Sequence, residues 1–475
     1  YYREHFISEG FFTTTTPITI PKWEQLGNDI DGEAAGDSSG HLVSLSSDGT
    51  IVAIGAILND DNGDTSGHVR VYQYNGTSWE QLGNDIDGEA ENDQSGYSVS
   101  LSNNDNGIFV AIGAYYNAGN GSSSGHVRVY QYNGTSWTQL GSDIDGEATY
   151  DYSGRSVSLS SDGTIVAIGA DGQDSGHVRV YQYNGTSWEQ LGSDIDGEAT
   201  YDFSGWSVSL SSDGTIVAIG AYYNAGNGSS SGHVRVYQYN GTSWEQLGND
   251  IDGEAANDYS GHSVSLSSDG KIVAIGAPYN DGNGEDSGHV RIYQYNGTSW
   301  EQLGSDIDGE TGGDEIGYSV SLSSDGTIVA IGAPYNDGNG ANSGHVRVYQ
   351  YNGTSWEQLG SDIDGESAYD WSGYSVSLSS DGTIVAIGAI FANDGGGYSS
   401  GHVRIYELKT IQPTTTMMPT TTMMPTTTMM PTTTMMPTTT TTVPPTTTTV
   451  PPTTTTVPPT TTTVPPTTTT VPPTT

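Results

Sequence analysis

The chain contains no cysteine, which excludes both a disulfide framework and thiol chemistry. Basic residues are scarce: 12 Lys and Arg face 56 Asp and Glu, a formal net charge of -44. Such a surface repels nucleic acid and anionic membranes and attracts cations or basic partners, so nucleic acid is set aside as a partner. No run of eighteen apolar residues occurs, so no segment reads as a membrane-spanning helix. All 8 Met lie in the C-terminal segment. The chain starts at Tyr1 without an initiator Met, which fits a mature form whose signal peptide is gone, or a fragment.

A low hydrophobic content of 33% with this acidity also describes disordered chains, but here Trp, Tyr, Val and Ile recur at strand spacing. The motif Trp-x-Gln-Leu-Gly returns at Trp23, Trp79, Trp137, Trp188, Trp244, Trp300 and Trp356. Each interval reads as four short strands separated by turn signals. In the fifth copy these are Ser263 to Ser267, Ile272 to Gly276, His289 to Tyr295, and a fourth strand beginning at Trp300. Ser-Ser-Asp-Gly joins the first two, and Asn296-Gly297 joins the last two as a tight hairpin with positive φ at both central positions. Four strands per repeat fit a propeller blade. The last copy stops after its third strand at Tyr406, whereas Trp23 to Gly27 stands alone before the first copy. The strands balance if residues 23–27 complete blade seven and close the ring without an exposed edge. The expected fold is all-β: an N-terminal extension (1–22), a seven-bladed β-propeller closed by an N-terminal strand (23–408), and an extended, polyproline-II-like low-complexity tail (409–475).

Three segments of the fifth copy carry a resemblance: Gly261-His262-Ser263-Val264-Ser265, Val273-Ala274-Ile275-Gly276-Ala277-Pro278 and Gly288-His289-Val290-Arg291-Ile292-Tyr293. Residues 23 to 406 resemble the FG-GAP repeat family, the propeller of integrin α subunits. The family's calcium loop between first and second strands is Asp-x-Asp-x-Asp-Gly, whereas this chain has only Ser-Ser-Asp-Gly there, so that calcium site is not carried over. Ser also stands where the family has Phe before the first Gly.

Propeller topology places the connections between blades, and the loops between second and third strands, on one face. Asp-Ile-Asp-Gly-Glu is assigned to the connection in all seven copies, with a further Asp four residues on. The carboxylates are Asp29, Asp31, Glu33 and Asp37; Asp85, Asp87, Glu89 and Asp93; Asp143, Asp145, Glu147 and Asp151; Asp194, Asp196, Glu198 and Asp202; Asp250, Asp252, Glu254 and Asp258; Asp306, Asp308, Glu310 and Asp314; Asp362, Asp364, Glu366 and Asp370. Positions 1, 3, 5 and 9 are the ligand spacing of a looped calcium site, although Gly falls at position 4 rather than 6. The competing reading pairs these acids with the third-strand Arg or uses them to cap turns. The third-strand His (His68, His126, His177, His233, His289, His345 and His402) reads as a packing position, since one imidazole per blade cannot gather on a single zinc ion. The Trp column reads as core.

The opposite face carries Asn-Gly-Thr sequons at Asn75, Asn133, Asn184, Asn240, Asn296 and Asn352, with two more, Asn120 and Asn227, on the acidic face. From Pro413 the chain becomes Thr/Pro-rich repeats without charge or Gly. Its Thr residues, among them Thr414, Thr420, Thr426, Thr432, Thr446, Thr453, Thr460 and Thr467, are O-glycosylation candidates in a mucin-like stalk of on the order of 190 Å. The N-terminal segment, with Phe6, Phe11 and Phe12, reads as a docking strap.

Together these features predict an extracellular or cell-surface, glycosylated structural protein. The propeller is then a building block, and the tail a stalk or inter-subunit connector in a self-associating filament or coat. The alternative is a calcium-dependent adhesion or lectin-like module. No enzyme is expected, because the copies are near-verbatim and no Ser/His/Asp set stands apart; acids beside an unrepeated aromatic such as Trp206 or Trp371 would reopen that question. No cofactor is required, and calcium is the one candidate.

Overall fold

The computed structural model describes residues 20–172, 174–393 and 396–411. The candidate tail sites Thr414 to Thr467, and the N-terminal aromatics Phe6, Phe11 and Phe12, lie outside the described residues. The described chain forms seven antiparallel sheets, each running from an inner first strand to an outer fourth strand. In blade five these are Ser263–Leu266, Ile272–Ala277, His289–Tyr295 and Trp300–Gln302. Blade seven takes Ser372–Leu378, Ile384–Ala389 and His402–Ile411, and its outer strand is Ile20–Gln25 from the start of the chain. Trp23 pairs with Leu408 and Gln25 with Tyr406. The closing strand thus begins three residues before Trp23 and runs to a register with Ile411.

The outer strand is broken in every blade, and the break explains the Trp-x-Gln-Leu-Gly motif. In blade four Trp244–Gln246 pairs with the end of the third strand, and Ile251–Asp252 pairs with its start, Val234 and His233. Between them the chain bulges: Leu247 N–H still donates to the Val236 carbonyl (2.7 Å), while the Leu247 carbonyl turns outward and accepts from the indole of Trp300 in the next blade (2.7 Å). Gly248, at φ +73°, leaves room for that indole, because a Cβ there would lie 3.1 Å from Trp300 Cδ1. Gln246 Nε2 donates to Asp250 in the bulge (2.6 Å). The first acid of each Asp-Ile-Asp-Gly-Glu therefore sits in the bulge, and the Ile-Asp pair belongs to the outer strand rather than to the connection. The Trp column is likewise a bridge between blades: each indole donates to the preceding blade's Leu at 2.7 Å, Trp23 to Leu359 included. Six of these Trp are only half-buried.

Apolar side chains of the strands pack between neighbouring blades, so the core is divided into seven clusters. One joins Ile216, Val234, Val236 and Ile251 of blade four to Leu266, Val273 and Ile275 of blade five. The cluster at the closing seam, with Ile30, Val43, Leu45, Ile54, Val403 and Ile405, is built in the same way. Nearer the axis, each first strand lends a Ser hydroxyl to a Leu N–H of the next blade, from Ser44 to Leu101 around to Ser377 and Leu45, at 2.9–3.0 Å. These bonds satisfy strand-edge amides that closure buries.

The hairpin between third and fourth strands differs from the two-residue turn expected. Tyr295 pairs with Trp300, so the loop has four residues, and positive φ falls on Gly297 (98°) alone of the Asn-Gly pair. Asn296 acts through its side chain, accepting from the N–H groups of Thr298 (2.9 Å) and Ser299 (3.0 Å). The turn between first and second strands is also closed by a side chain. Asp213 accepts from Ser211 Oγ, Thr215 N and Thr215 Oγ1 at 2.7–3.0 Å. Burial alone would raise this carboxyl, but the hydrogen bonds hold it below its ordinary value.

Candidate functional site

The inner strands line a channel whose mouth opens on the acidic face. The residue after the first-strand Gly differs around the ring: His41, Tyr97, Arg155, Trp206, His262, Tyr318 and Tyr374. Each touches the next. His41 stands 4.7 Å from Tyr97 between ring centroids, Trp206 5.7 Å from His262, His262 4.8 Å from Tyr318, Tyr318 5.0 Å from Tyr374, and Tyr374 5.2 Å from His41. Arg155 completes the circle, its guanidinium 4.6 Å from the Tyr97 ring and 3.6 Å from that of Trp206. Together they bound a cavity of about 230 Å³. At the far end of the channel the walls alternate serine, including Ser47, Ser212 and Ser380, with leucine around a cavity of about 200 Å³.

The mouth is polar in chemistry but restrained in charge. Burial and the Arg155 charge push His41 down to about 3, against the Tyr97 backbone carbonyl. Burial brings His262 to about 4, although its Nδ1 lies 3.2 Å from the Tyr318 carbonyl. Both imidazoles are neutral at pH 7. Arg155 Nε lies 3.7 Å from Asp171 Oδ2, and among the described residues the guanidinium makes no hydrogen bond. Asp171 opens the loop between second and third strands of blade three, the shortest such loop of the seven. It occupies the place of Tyr115 and Tyr222, and burial raises it to about 6 against the Arg155 charge. Of these seven residues the sequence reading singled out only Trp206 as an unrepeated aromatic. The ring's signal was present in the sequence as the first-strand position that varies most, with His, Tyr, Arg or Trp after the Gly.

The four carboxylates of each acidic segment do not meet at one point. In the segment Asp250 to Asp258, Asp250 lies in the bulge, 3.9 Å from His233. Asp252 offers its backbone carbonyl to Arg291 (2.8 Å), and Glu254 pairs with Arg291 (3.3 Å). Asp258 is 4% exposed and accepts from Ala255 N (2.9 Å) and Asn280 Nδ2 (3.1 Å), holding the connection closed. The fifth and ninth positions thus follow the ion-pair and turn-capping pattern. Position 5 of one segment instead approaches position 1 of the next, with the third-strand His between them. His289 Nδ1 is 3.9 Å from both Glu254 and Asp306. These His are not isolated: in blades two, four and five, buried His126, His233 and His289 each gather acids from two segments. Burial, then the nearby Arg, brings His126, His233, His289 and His345 to about 4, against the pull of the acids.

The six hairpin sequons, Asn75 through Asn352, are exposed at loop tips on the far face. Asn120 and Asn227 on the acidic face use their amides internally, donating to Gly146 and Gly253 carbonyls at 3.0 Å.

Residues 194–237, 251–293 and 306–349 match the FG-GAP repeat family. No curated protein is significantly similar to the chain. Each matched segment runs from the outer strand of one blade, at or just past its bulge, into the third strand of the next, and the unmatched blades have the same strand order. The chain carries FG-GAP repeats, folded as a seven-bladed β-propeller.

Proposed function

We propose that the propeller is the ligand-binding head of an extracellular or surface protein, with the Thr/Pro-rich segment as its O-glycosylated stalk or connector. The observation that carries this is the ring of dissimilar side chains on the axis of an otherwise copied wall. A flat guanidinium held between Tyr97 and Trp206 offers donors to ligand oxygens, while the rings offer faces to C–H surface. That combination suits a saccharide. FG-GAP repeats are at home in extracellular adhesion and ligand-binding proteins, which supports the location. Among the described residues no helix is long and apolar enough to cross a membrane.

In this reading the head binds and does not catalyse, and it requires no cofactor. His41 and His262 are neutral, and the neighbouring Ser156, Ser207 and Ser263 each donate to a backbone carbonyl of the next blade at 2.8 Å. A glycan array probed with the full chain and with Arg155→Met tests the reading. Binding of one saccharide class, weakened at least about tenfold in the variant, is the expected result. An array with no bound glycan, or equal binding by both proteins, removes it.

A second reading, a building block of a filament or coat, is favoured by the sevenfold outer wall and the sequons on the far face. It requires polymer in the purified protein that disappears when residues 412–475 are removed.

A further inference from the structure

In blade one the cluster around the third-strand His has a fourth member. Ligand atoms of Glu33, Asp61, His68 and Asp85 all lie within 4.8 Å of one another. They come from four separate places in the chain. Glu33 lies in the connection that follows the closing outer strand of blade seven, and Asp61 in the loop between second and third strands. His68 opens the third strand, and Asp85 sits in the outer-strand bulge. The loop carrying Asp61 has the same turn as its counterparts: Asp61 N–H donates to Asn59 Oδ1 (3.0 Å), as Gly119 does to Asn117 and Gly226 to Asn224 (both 2.8 Å). Blades two, four, five and six have Gly119, Gly226, Gly282 and Gly338 at this position. Their clusters Glu89/His126/Asp143, Glu198/His233/Asp250 and Glu254/His289/Asp306 accordingly have three members.

His68 supplies an independent observation. Its side chain is 0% exposed, and neither ring nitrogen has a hydrogen-bond partner, the nearest acid being Asp85 Oδ2 at 4.0 Å from Nδ1. Buried polar groups in folded proteins are nearly always satisfied, and leaving one unpaired costs about 1–3 kcal/mol. A cation that takes the lone pair of one ring nitrogen removes that cost there. Charge agrees: three carboxylates against Arg70, whose Nη1 is 3.3 Å from Glu33 Oε1, leave two negative charges for a dication.

We propose that Glu33, Asp61, His68 and Asp85 bind one divalent first-row transition metal, zinc being the type case. One imidazole with carboxylate oxygens is a zinc-type donor set, whereas calcium takes oxygen ligands alone. Bonds of about 2.0–2.2 Å need the four atoms to close in by about 1 Å. Glu33, 43% exposed, is free to swing from Arg70 towards the metal. The bound ion ties the connection after the closing strand to blade one, and so acts as a clamp on the seam of the ring.

The test is zinc titration of the chelator-treated full chain by calorimetry, with cobalt absorption as a report on the ligand field. Asp61→Gly is the informative variant, because four other blades fold with Gly at that place; His68→Gln is the second. The expected result is one zinc per chain, a higher melting temperature on binding, and an affinity at least about tenfold weaker in Asp61→Gly. No saturable zinc binding, equal affinity in Asp61→Gly, several equivalent zinc sites, or calcium bound as tightly as zinc overturns the proposal.

Discussion

Two positions on the same inner strand have opposite histories. The Ser of the blade-to-blade bond is Ser in all seven copies, from Ser44 to Ser377. The residue after the Gly, a few places earlier, ranges from His41 to Arg155 to Trp206. The Ser must meet the same Leu N–H in the next blade, so any change breaks a contact that its own copies impose. The mouth residue points to the axis, where it meets its ring neighbours and loop side chains such as Asp171 and Tyr222, with no one partner fixed in every blade. In a closed ring of repeats, copied positions mark the wall and uncopied ones mark where the wall's constraint ends.

Acid tests this contrast most strongly. The wall imidazoles His126, His233, His289 and His345 are pushed down to about 4 by burial. A base whose folded value is depressed lends stability that is full above its unfolded value of 6.5 and lost as pH falls towards 4. The melting temperature should therefore drop steeply from pH 6.5 to 4. Because most of this loss belongs to the wall, His41→Gln with His262→Gln at the mouth should leave most of the drop in place. A profile flat from pH 7 to 5, or one flattened by the mouth pair alone, breaks the comparison.

Substitution comes next. Trp300→Ala strips an indole from a blade interface and leaves the Leu247 carbonyl without its donor, a loss of about 3 kcal/mol in denaturant unfolding. Trp206→Ala at the mouth should cost less than half of that, and equal losses would erase the distinction. Ser321→Ala leaves the Leu378 N–H without its acceptor and should cost about 1–3 kcal/mol, with faster hydrogen exchange at that amide.

The propeller was legible because turn chemistry and strand periodicity repeat, and because the odd Trp23 strand has one place to go. The broken outer strand was not, since Leu-Gly-Ser/Asn-Asp reads as a turn until the next blade's indole is seen filling it. Nor were the clusters around His68 and His289. Glu33 and Asp85 belong to different copies of one motif, and spacing within a copy cannot show that position 5 of one lies against position 1 of the next. The mouth was legible in principle as variation at one site, but near-verbatim copies drew attention to what is shared.

The smallest expected effect lies on the rim, in a single blade. Glu315 occupies a place where other copies have Ser38, Gln94, Tyr152, Phe203, Tyr259 or Trp371, and its Oε2 is buried without a partner. Burial, then Asp286, raises it to about 7, although Tyr279 donates to it. A carboxyl with a raised folded value lends stability that is full below its unfolded value of 4.5 and lost as pH rises through 7. Glu315→Gln removes that loss, keeps an acceptor for Tyr279 and leaves the wall untouched. At pH 4 the two proteins should melt together, since Glu315 is then protonated whether folded or not. At pH 8 the variant should melt higher by about 1–3 °C. A variant that melts lower at pH 8 would show that ionised Glu315 is held by the rim, and that this uncopied position, unlike the axial ring, answers to the blades around it.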